Sequence, residues 1–323
     1  MAEMTGISWA DSTANLWIGC QKESPACDFC YAEAEQAIRR GRVQWGPDGD
    51  RDYCRQGWLD VRRWNRQAER NGGIDPKLGR KRRVFINSLS DFFDNHRSVV
   101  WRPAAWKLIR DCPNIIFMLV TKRPKLIARS LPPFWDEIAS RVWLITTAEN
   151  QEWLERRAFP LAAACSGRAQ PAVLGLSIEP MLGGIDLTSV AFKNDRINLL
   201  TGRRNRDGQK FLRQPFRWVI CGGESGLRAR PLRQEWVRFL YSQCDAFGVP
   251  FHFKQWGEWM PTRLIEGEGD RFDSVFMDGS GRFASDYPGK QWMHAHETDF
   301  YRVGKSDAGR LLEAHEYLGV PLT

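Results

Sequence analysis

From position 84 onward, short apolar runs alternate with segments of helical spacing. Val84-Phe85-Ile86-Asn87 is a run of strand length, and Val99 to Asp111 carries its apolar residues with the period of a helix face. Ile115 to Val120 is the next run, with a helix predicted near Pro124–Ser130. Val142 to Thr146 follows, then a helix over Gln151–Ala164 and a run from Ala172 to Ile178. Arg217 to Ile220 and Val249 to Phe253 complete the series around a helix at Gln234–Phe247. Upstream, Asn15 to Cys20 reads as the first strand, and a helix is predicted from Tyr31 to Arg40. Continuous apolar strands separated by helices predict a parallel sheet covered on both faces. The expected fold is therefore α/β, a (β/α) barrel or partial barrel over residues 1–260. A doubly wound open sheet is the alternative, but no GxGxxG follows the first strand. Two basic, polar stretches near 41–80 and 186–216 read as insertions, the first with a helix around Leu59–Glu69. Residues 261–323 read as a C-terminal extension packed on the barrel, with a last helix near Ser306–Tyr317.

Composition adds a lean toward one kind of partner. Across 323 residues the formal net charge is +8, with 36 Arg against 11 Lys and 15 Trp. Arginine suits bidentate contact with phosphate and stacking on flat rings, so nucleic acid or a nucleotide is the expected partner. A generic arginine-rich composition accounts for the same numbers. Three basic clusters, Lys77 to Arg83, Arg203 to Arg206 and Arg228 to Arg233, are either one phosphate track or three solvated faces. No apolar run reaches the length of a membrane span, and Met1 to Thr5 shows no basic, apolar leader. The expectation is a soluble, cytoplasmic protein with no membrane partner.

Candidate chemistry collects where the predicted strands end, as in other parallel α/β folds. Asn87-Ser88-Leu89-Ser90-Asp91, Thr121-Lys122-Arg123, Glu149-Asn150, Glu179-Pro180, Gly222-Gly223-Glu224-Ser225 and Lys254-Gln255 all sit there. The sharpest signal is the trio Cys20, Cys27 and Cys30, in a loop between a strand and a helix. Five further cysteines are scattered singly, as buried small hydrophobes would be. Three thiolates with no second close pair suit a [4Fe–4S] cluster with one iron left open, although zinc or no metal are alternatives.

A cysteine trio after the first strand of a (β/α) barrel resembles the radical S-adenosylmethionine (SAM) enzymes, and Phe29 occupies their aromatic position before the last cysteine. The first gap is longer than their usual CxxxCxxC. Six segments extend the likeness: Cys20 to Cys27, Phe85 to Phe93, Leu119 to Pro124, Trp218 to Gly226, Phe253 to Gly257 and Val303 to Lys305. Together they resemble the phage Gp37/Gp68 family, of the three-cysteine, DUF5131 type. The resemblance implies that Cys20, Cys27 and Cys30 hold the cluster, with SAM as the second cofactor and an electron donor as a partner. It implies Ser88, Ser90 and Asp91 near the SAM amino group and Glu149 or Glu179 on the ribose. It implies Lys122 or Arg123 on the carboxylate, and Gly222-Gly223 against a flat ring. Phe29, Asn87, Glu224 and Ser225 join them as cofactor-binding candidates. Lys254 and Gln255 are the catalytic candidates, facing substrate across the mouth. The implied activity is modification or repair of a nucleic-acid base or nucleotide. A metal-containing nucleic-acid-binding module without catalysis is the alternative.

Overall fold

The first strand of the main sheet is not the apolar run around Trp17 but Ser12–Ala14 (β1), paired parallel to Arg82–Ile86 with Thr13 opposite Phe85. Trp17–Ile18 (β2) turns away and pairs antiparallel with Asp52–Tyr53 (β3). A search for apolar runs passes over Ser12-Thr13-Ala14, because small polar residues can be buried at a strand edge when their neighbours cover them. These elements belong to a computed structural model that describes residues 5–96, 100–261, 292–295, 298–313 and 315–321.

Arg82–Ile86 (β4), Ile115–Thr121 (β5), Val142–Thr147 (β6) and Val173–Ile178 (β7) match the predicted runs and lie side by side. A small antiparallel sheet follows, formed by Val190–Phe192 (β8), Asp195–Asn198 (β9) and Arg203–Arg204 (β10). Trp218–Gly222 (β11) and Phe251–Gln255 (β12) then complete the main sheet. Its order is β1-β4-β5-β6-β7-β11-β12, and every pairing is parallel. The order never reverses, which rules out the doubly wound alternative. The protein is α/β, with a parallel seven-strand half-barrel sheet. No ladder joins β1 to β12 among the described residues.

The two faces of this sheet bury different sets, as the period of two requires. Val84, Ile86, Phe117, Leu119, Leu144, Leu174, Leu176 and Val219 face the helices. Phe85, Met118, Trp143, Ile145, Val173, Trp218 and Ile220 face the opposite way and are covered by Trp9 from the N-terminal segment. Trp218 meets Trp143 edge-on at 5.3 Å and Trp9 at 6.1 Å between ring centroids. Each such buried ring contributes roughly 1.5–3 kcal/mol. Among the described residues ten tryptophans are buried, so tryptophan there chiefly fills the core rather than a stacking surface. Ser8 Oγ lies 2.8 Å from His252 Nε2, which ties the N-terminal segment to the last strand of the sheet.

Several predicted elements change. The helix in the 41–80 stretch runs over Arg55–Glu69 and buries Trp58, Val61, Trp64 and Ala68 in the main core. It is the crossover between β1 and β4 rather than a peripheral insertion. The helix predicted to start at Val99 runs over Arg102–Asp111, and Val99 lies outside the described residues. Tyr31–Glu33 is a short α-turn that widens into a π-helix over Ala34–Arg39. The last predicted helix shrinks to Lys305–Ala308, bounded by Gly304 and by Gly309 at a φ of 63°. Beyond it, Tyr317 and Gly319 bond to Phe253 and Phe251, and the chain covers the open edge of β12. Trp259–Pro261 (β13), Trp292–Ala295 (β14) and Thr298–Arg302 (β15) form a separate antiparallel sheet in the order β13-β15-β14. No helix among the described residues is long and apolar enough to cross a membrane.

Candidate functional site

The loop that carries the three cysteines hangs from the ends of several strands. After β1, Asn15 accepts a hydrogen bond from the Leu89 backbone N–H and donates one to Ser88 Oγ. After β2, Gly19 N–H donates to the Leu89 carbonyl, and Ser90 Oγ donates to the Trp17 carbonyl. Asn87 makes the turn after β4 at a φ of 65°, a conformation asparagine tolerates, and its side-chain oxygen accepts from Leu16 N–H. From the end of β5, Arg123 donates to the Gln21 carbonyl at 2.7 Å and approaches Cys20 Sγ at 3.7 Å. From the end of β6, Glu149 accepts from Ala26 N–H. From beyond β11, Arg230 donates to the Pro25 carbonyl. Cys27 closes the short turn Pro25–Cys27, and Cys30 precedes the helical turn at Tyr31.

This scaffold aims the trio into one pocket of about 180 Å³. Cys20, Cys27 and Cys30 share its lining with Asn87, Ser88, Ser90, Asp91, Lys122, Glu179 and Lys254. Ile7, Trp9, Phe85 and Val120 supply its apolar surface. Lys254 Nζ pairs with Glu179 Oε1 at 2.9 Å, while Ser177 Oγ donates to the other carboxylate oxygen. A Cβ at Gly222 would lie 3.0 Å from Glu179 Oε1, so glycine there makes room for this pair. Asp91 lines the pocket, but Thr121 Oγ1, Lys122 N–H, Arg123 Nη1 and Phe93 N–H already occupy its carboxylate.

Other predicted residues serve the frame. Glu149 is buried and paired with Arg157 at 2.9 Å. Glu224 is held by Arg230 at 2.6 Å, and Gln255 donates to Ser225 Oγ at 2.9 Å. A Cβ at Gly223 would lie 1.8 Å from the Trp256 carbonyl, so that glycine permits backbone packing and offers no cradle for a flat ring. None of these six residues, Gly222 and Gly223 included, lines the pocket. Phe29 lies outside it as well, with the Arg228 and Arg230 guanidiniums each 4.9 Å from its ring centroid. Two of the basic clusters have acidic partners of their own. Arg80 and Arg83 pair with Asp11, and Arg82 with Asp75, at the start of β4, the opposite end of the sheet from the pocket. Arg204 and Arg206 pair with Asp195 in the small antiparallel sheet.

The trio differs electrostatically from the other cysteines. Cys54, Cys112, Cys165, Cys221 and Cys244 are buried, whereas Cys20, Cys27 and Cys30 keep partial exposure. Burial pushes the Cys20 thiol up to about 12, with Arg123 pulling the other way. Burial also raises the Cys30 thiol, opposed by backbone donors and by Lys122. The charge of Cys27 disfavours ionisation of both neighbours, so three thiolates together need positive charge among them. Burial works against the Arg123 cation, but Asp91, Cys20 and Asp94 outweigh it and hold its pKa above the ordinary value. Among the described residues, no three His, Cys, Asp or Glu side chains converge to hold a single metal ion. Three thiols on one pocket wall are soft donors of the kind that hold an iron–sulfur cluster or zinc.

A family model described as "Protein of unknown function (DUF5131)" matches residues 4–321. The chain belongs to this family. No curated protein matches this DUF5131 chain. Among solved structures it is similar to a spore photoproduct lyase mutant with one cysteine replaced by serine, at 12% identity and a TM-score of 0.35, covering 93% of this chain and 70% of that one. It is also similar to a doubly substituted spore photoproduct lyase with bound AdoMet and dinucleoside spore photoproduct, at 11% identity and a TM-score of 0.36, covering 91% and 68%. The strand order of this DUF5131 chain stands independently of either likeness.

Several residues that build the site had no role assigned from the sequence. Arg51 and Asp94 form a fully buried pair at 2.7 Å beneath the cysteine loop, and Gln21 donates to the same carboxylate. Arg157 holds Glu149 in place. Tyr31 donates its hydroxyl to the Ser88 carbonyl at the pocket wall, and Trp45 lines the same wall. Only the invariant period of a strand was available as a signal for one assignment. Lys254 and His252 share a face of β12, and Gln255 shares the other with Phe251 and Phe253.

Proposed function

We propose that this DUF5131 chain is an iron–sulfur enzyme that reductively cleaves SAM to modify or repair a nucleic-acid base or nucleotide. The observation that carries the reading is the pocket itself. The three incompletely buried thiols line it together with the Lys254–Glu179 pair, at the C-terminal ends of the parallel strands. Cys20, Cys27 and Cys30 would hold a [4Fe–4S] cluster, leaving one iron without a protein ligand. When bound, the cluster supplies an electron from an external donor protein and an open iron for the SAM amino and carboxylate groups.

The chain's own residues do the remaining work. Arg123 and Lys122 offset the negative charge of the thiolates. Ile7, Trp9, Phe85 and Val120 exclude water from the pocket. Ser88 and Ser90 bring hydroxyls to its wall. Lys254 and Glu179 present an ammonium and a carboxylate to the bound ligands, with Ser177 orienting the carboxylate.

Purification and reconstitution without oxygen test this. About four irons per chain and reductant-dependent cleavage of SAM are expected. Cys27→Ala loses both, whereas Cys112→Ala, altered at a buried helix end, keeps both. Full iron content in Cys27→Ala overturns the ligand assignment. One zinc per chain with no cleavage supports the non-catalytic nucleic-acid-binding module instead.

A further inference from the structure

Beside the cysteine pocket lies a second recess of about 320 Å³. The two share Lys122 and Arg123 as a common wall. Five of its ten lining residues are Lys or Arg, and Glu23 is its one carboxylate. The cations come from two elements: Lys122, Arg123 and Lys125 from the turn after β5, and Arg156 and Arg157 from the helix Gln151–Ala163 after β6. Trp153 lies between them in sequence and lines the recess, with the Arg156 and Arg157 guanidiniums 5.0 and 4.2 Å from its ring centroid.

Three of these cations are already paired. Arg123 meets Asp91, Arg156 meets the exposed Glu152, and Arg157 meets Glu149. Lys122 and Lys125 form no ion pair with the described residues. Arg157 carries the informative detail. Its side chain is 3% exposed, and only Nη1 is hydrogen-bonded, to Glu149 and the Thr147 carbonyl. Nε and Nη2 are buried without a hydrogen-bond partner. A guanidinium stacked on an indole keeps its edge donors for a partner in its own plane, and an oxyanion is the partner that matches that edge. Burial works against the charge of Arg157, as expected for a cation short of donors' partners. The recess thus brings a buried, partly unbonded guanidinium beside two ammonium groups that form no ion pair with the described residues.

We propose that this recess binds a phosphate group of the substrate, with Arg156, Arg157, Lys122 and Lys125 as the ligands and Trp153 as an adjoining stacking surface. The inference rests on the reading of the neighbouring pocket as the reaction site, and gives that site a substrate class. A phosphate anchored here would place the attached nucleoside against the wall that the recess shares with the cysteine pocket. The phosphate is either an internal diester of a nucleic-acid strand or the monoester of a free nucleotide, and the two are separable.

Binding to the full chain is measured by titration, with a short single-stranded oligodeoxynucleotide, a nucleoside 5′-monophosphate and the same nucleoside without phosphate. Arg156→Ala and Lys125→Ala remove exposed side chains and leave no buried charge unpaired, so the fold is preserved. Each is expected to weaken a phosphate-bearing probe about tenfold. On the oligonucleotide each should also lower the salt dependence by about 0.7 in log–log slope. Arg129→Ala, an exposed arginine four positions after Lys125 that does not line the recess, is expected to change neither. An effect confined to the oligonucleotide identifies the diester; an effect on the monophosphate identifies the free nucleotide. Unchanged binding of both phosphate probes in the two variants overturns the site, as does equal binding of the nucleoside lacking phosphate. The two readings fail separately. A chain that cleaves SAM but shows no such losses refutes the recess alone. A chain that shows them but never cleaves SAM refutes the radical chemistry alone.

Discussion

The two ends of the parallel sheet use the same residue types for opposite purposes. At the N-terminal end, Asp11 receives Arg80 at 2.7 and 2.8 Å, Arg83 through its side chain, and the Arg83 backbone N–H at 2.8 Å. Arg82 and Asp75 form a second pair there, each 1% exposed, and Ser12 Oγ accepts from Arg82 at 2.6 Å. No side-chain atom of Asp11, Ser12, Asp75 or Arg82 is buried without a partner. At the C-terminal end, Arg157 has two unbonded nitrogens, and Asn87 Nδ2 and Thr147 Oγ1 are buried without partners beside the pocket. A network that is fully bonded internally has nothing left to offer a ligand, whereas an incompletely bonded one keeps donors and acceptors for it. Charge alone therefore says little about function here; what separates these groups is whether their polar atoms are bonded internally, as for Asp11, Asp75 and Arg82, or left without a partner, as for Arg157.

The largest expected effect tests the closed end. Arg82→Met strands the Asp75 carboxylate in the interior and should cost about 3–5 kcal/mol of stability in a denaturant titration, with iron content per folded chain unchanged. A loss well below 1 kcal/mol would mean that this network is not what holds the N-terminal edge.

Acid separates the closed network from His252, which the N-terminal segment covers through Ser8. Burial lowers His252 from its ordinary value of 6.5 to about 4, so the unfolded chain binds the extra proton first. Stability should fall as the pH drops from about 6.5 toward 4, by about 3 kcal/mol in all, and His252→Gln should remove that phase. Burial opposes the Asp11 carboxylate, but Arg80 and Arg83 outweigh it and hold its pKa well below the usual range. The stability it provides is present above its unfolded value of 3.8 and is lost only below it, so that phase should survive in His252→Gln.

At the open end the effects on folding shrink while those on chemistry grow. Lys254→Met should alter stability by about 1 kcal/mol or less, retain iron, and lose most SAM cleavage. Equal cleavage in that variant would remove Lys254 from the reaction. Cys30→Ser should change stability by about 0.5 kcal/mol or less while lowering iron content, because the thiol belongs to a rim and not to the packed core. Unfolding of Cys30→Ser would erase the contrast between the two ends.

Six of the seven predicted strands are present in the main sheet, because a run such as Ile115 to Val120 is buried on both faces and must therefore be apolar on both. The cysteine trio was equally legible, since its spacing lies within one loop. Ser12–Ala14 was not, because its burial comes from neighbours distant in sequence. The roles of the polar strand ends were legible only as a group. Glu149 and Glu179 look alike in sequence, yet one braces the cysteine loop and the other lines the pocket.

Local pattern thus determined the parallel α/β class and the loop bearing the thiols, because apolar periodicity and short spacings act within a single element. Tertiary structure alone decided which arginines are saturated and which keep free donors. Arg157 and Lys125 lie thirty-two positions apart, and only the parallel pairing of β5 with β6, which ends both strands on the same side, brings their helix and turn to one recess.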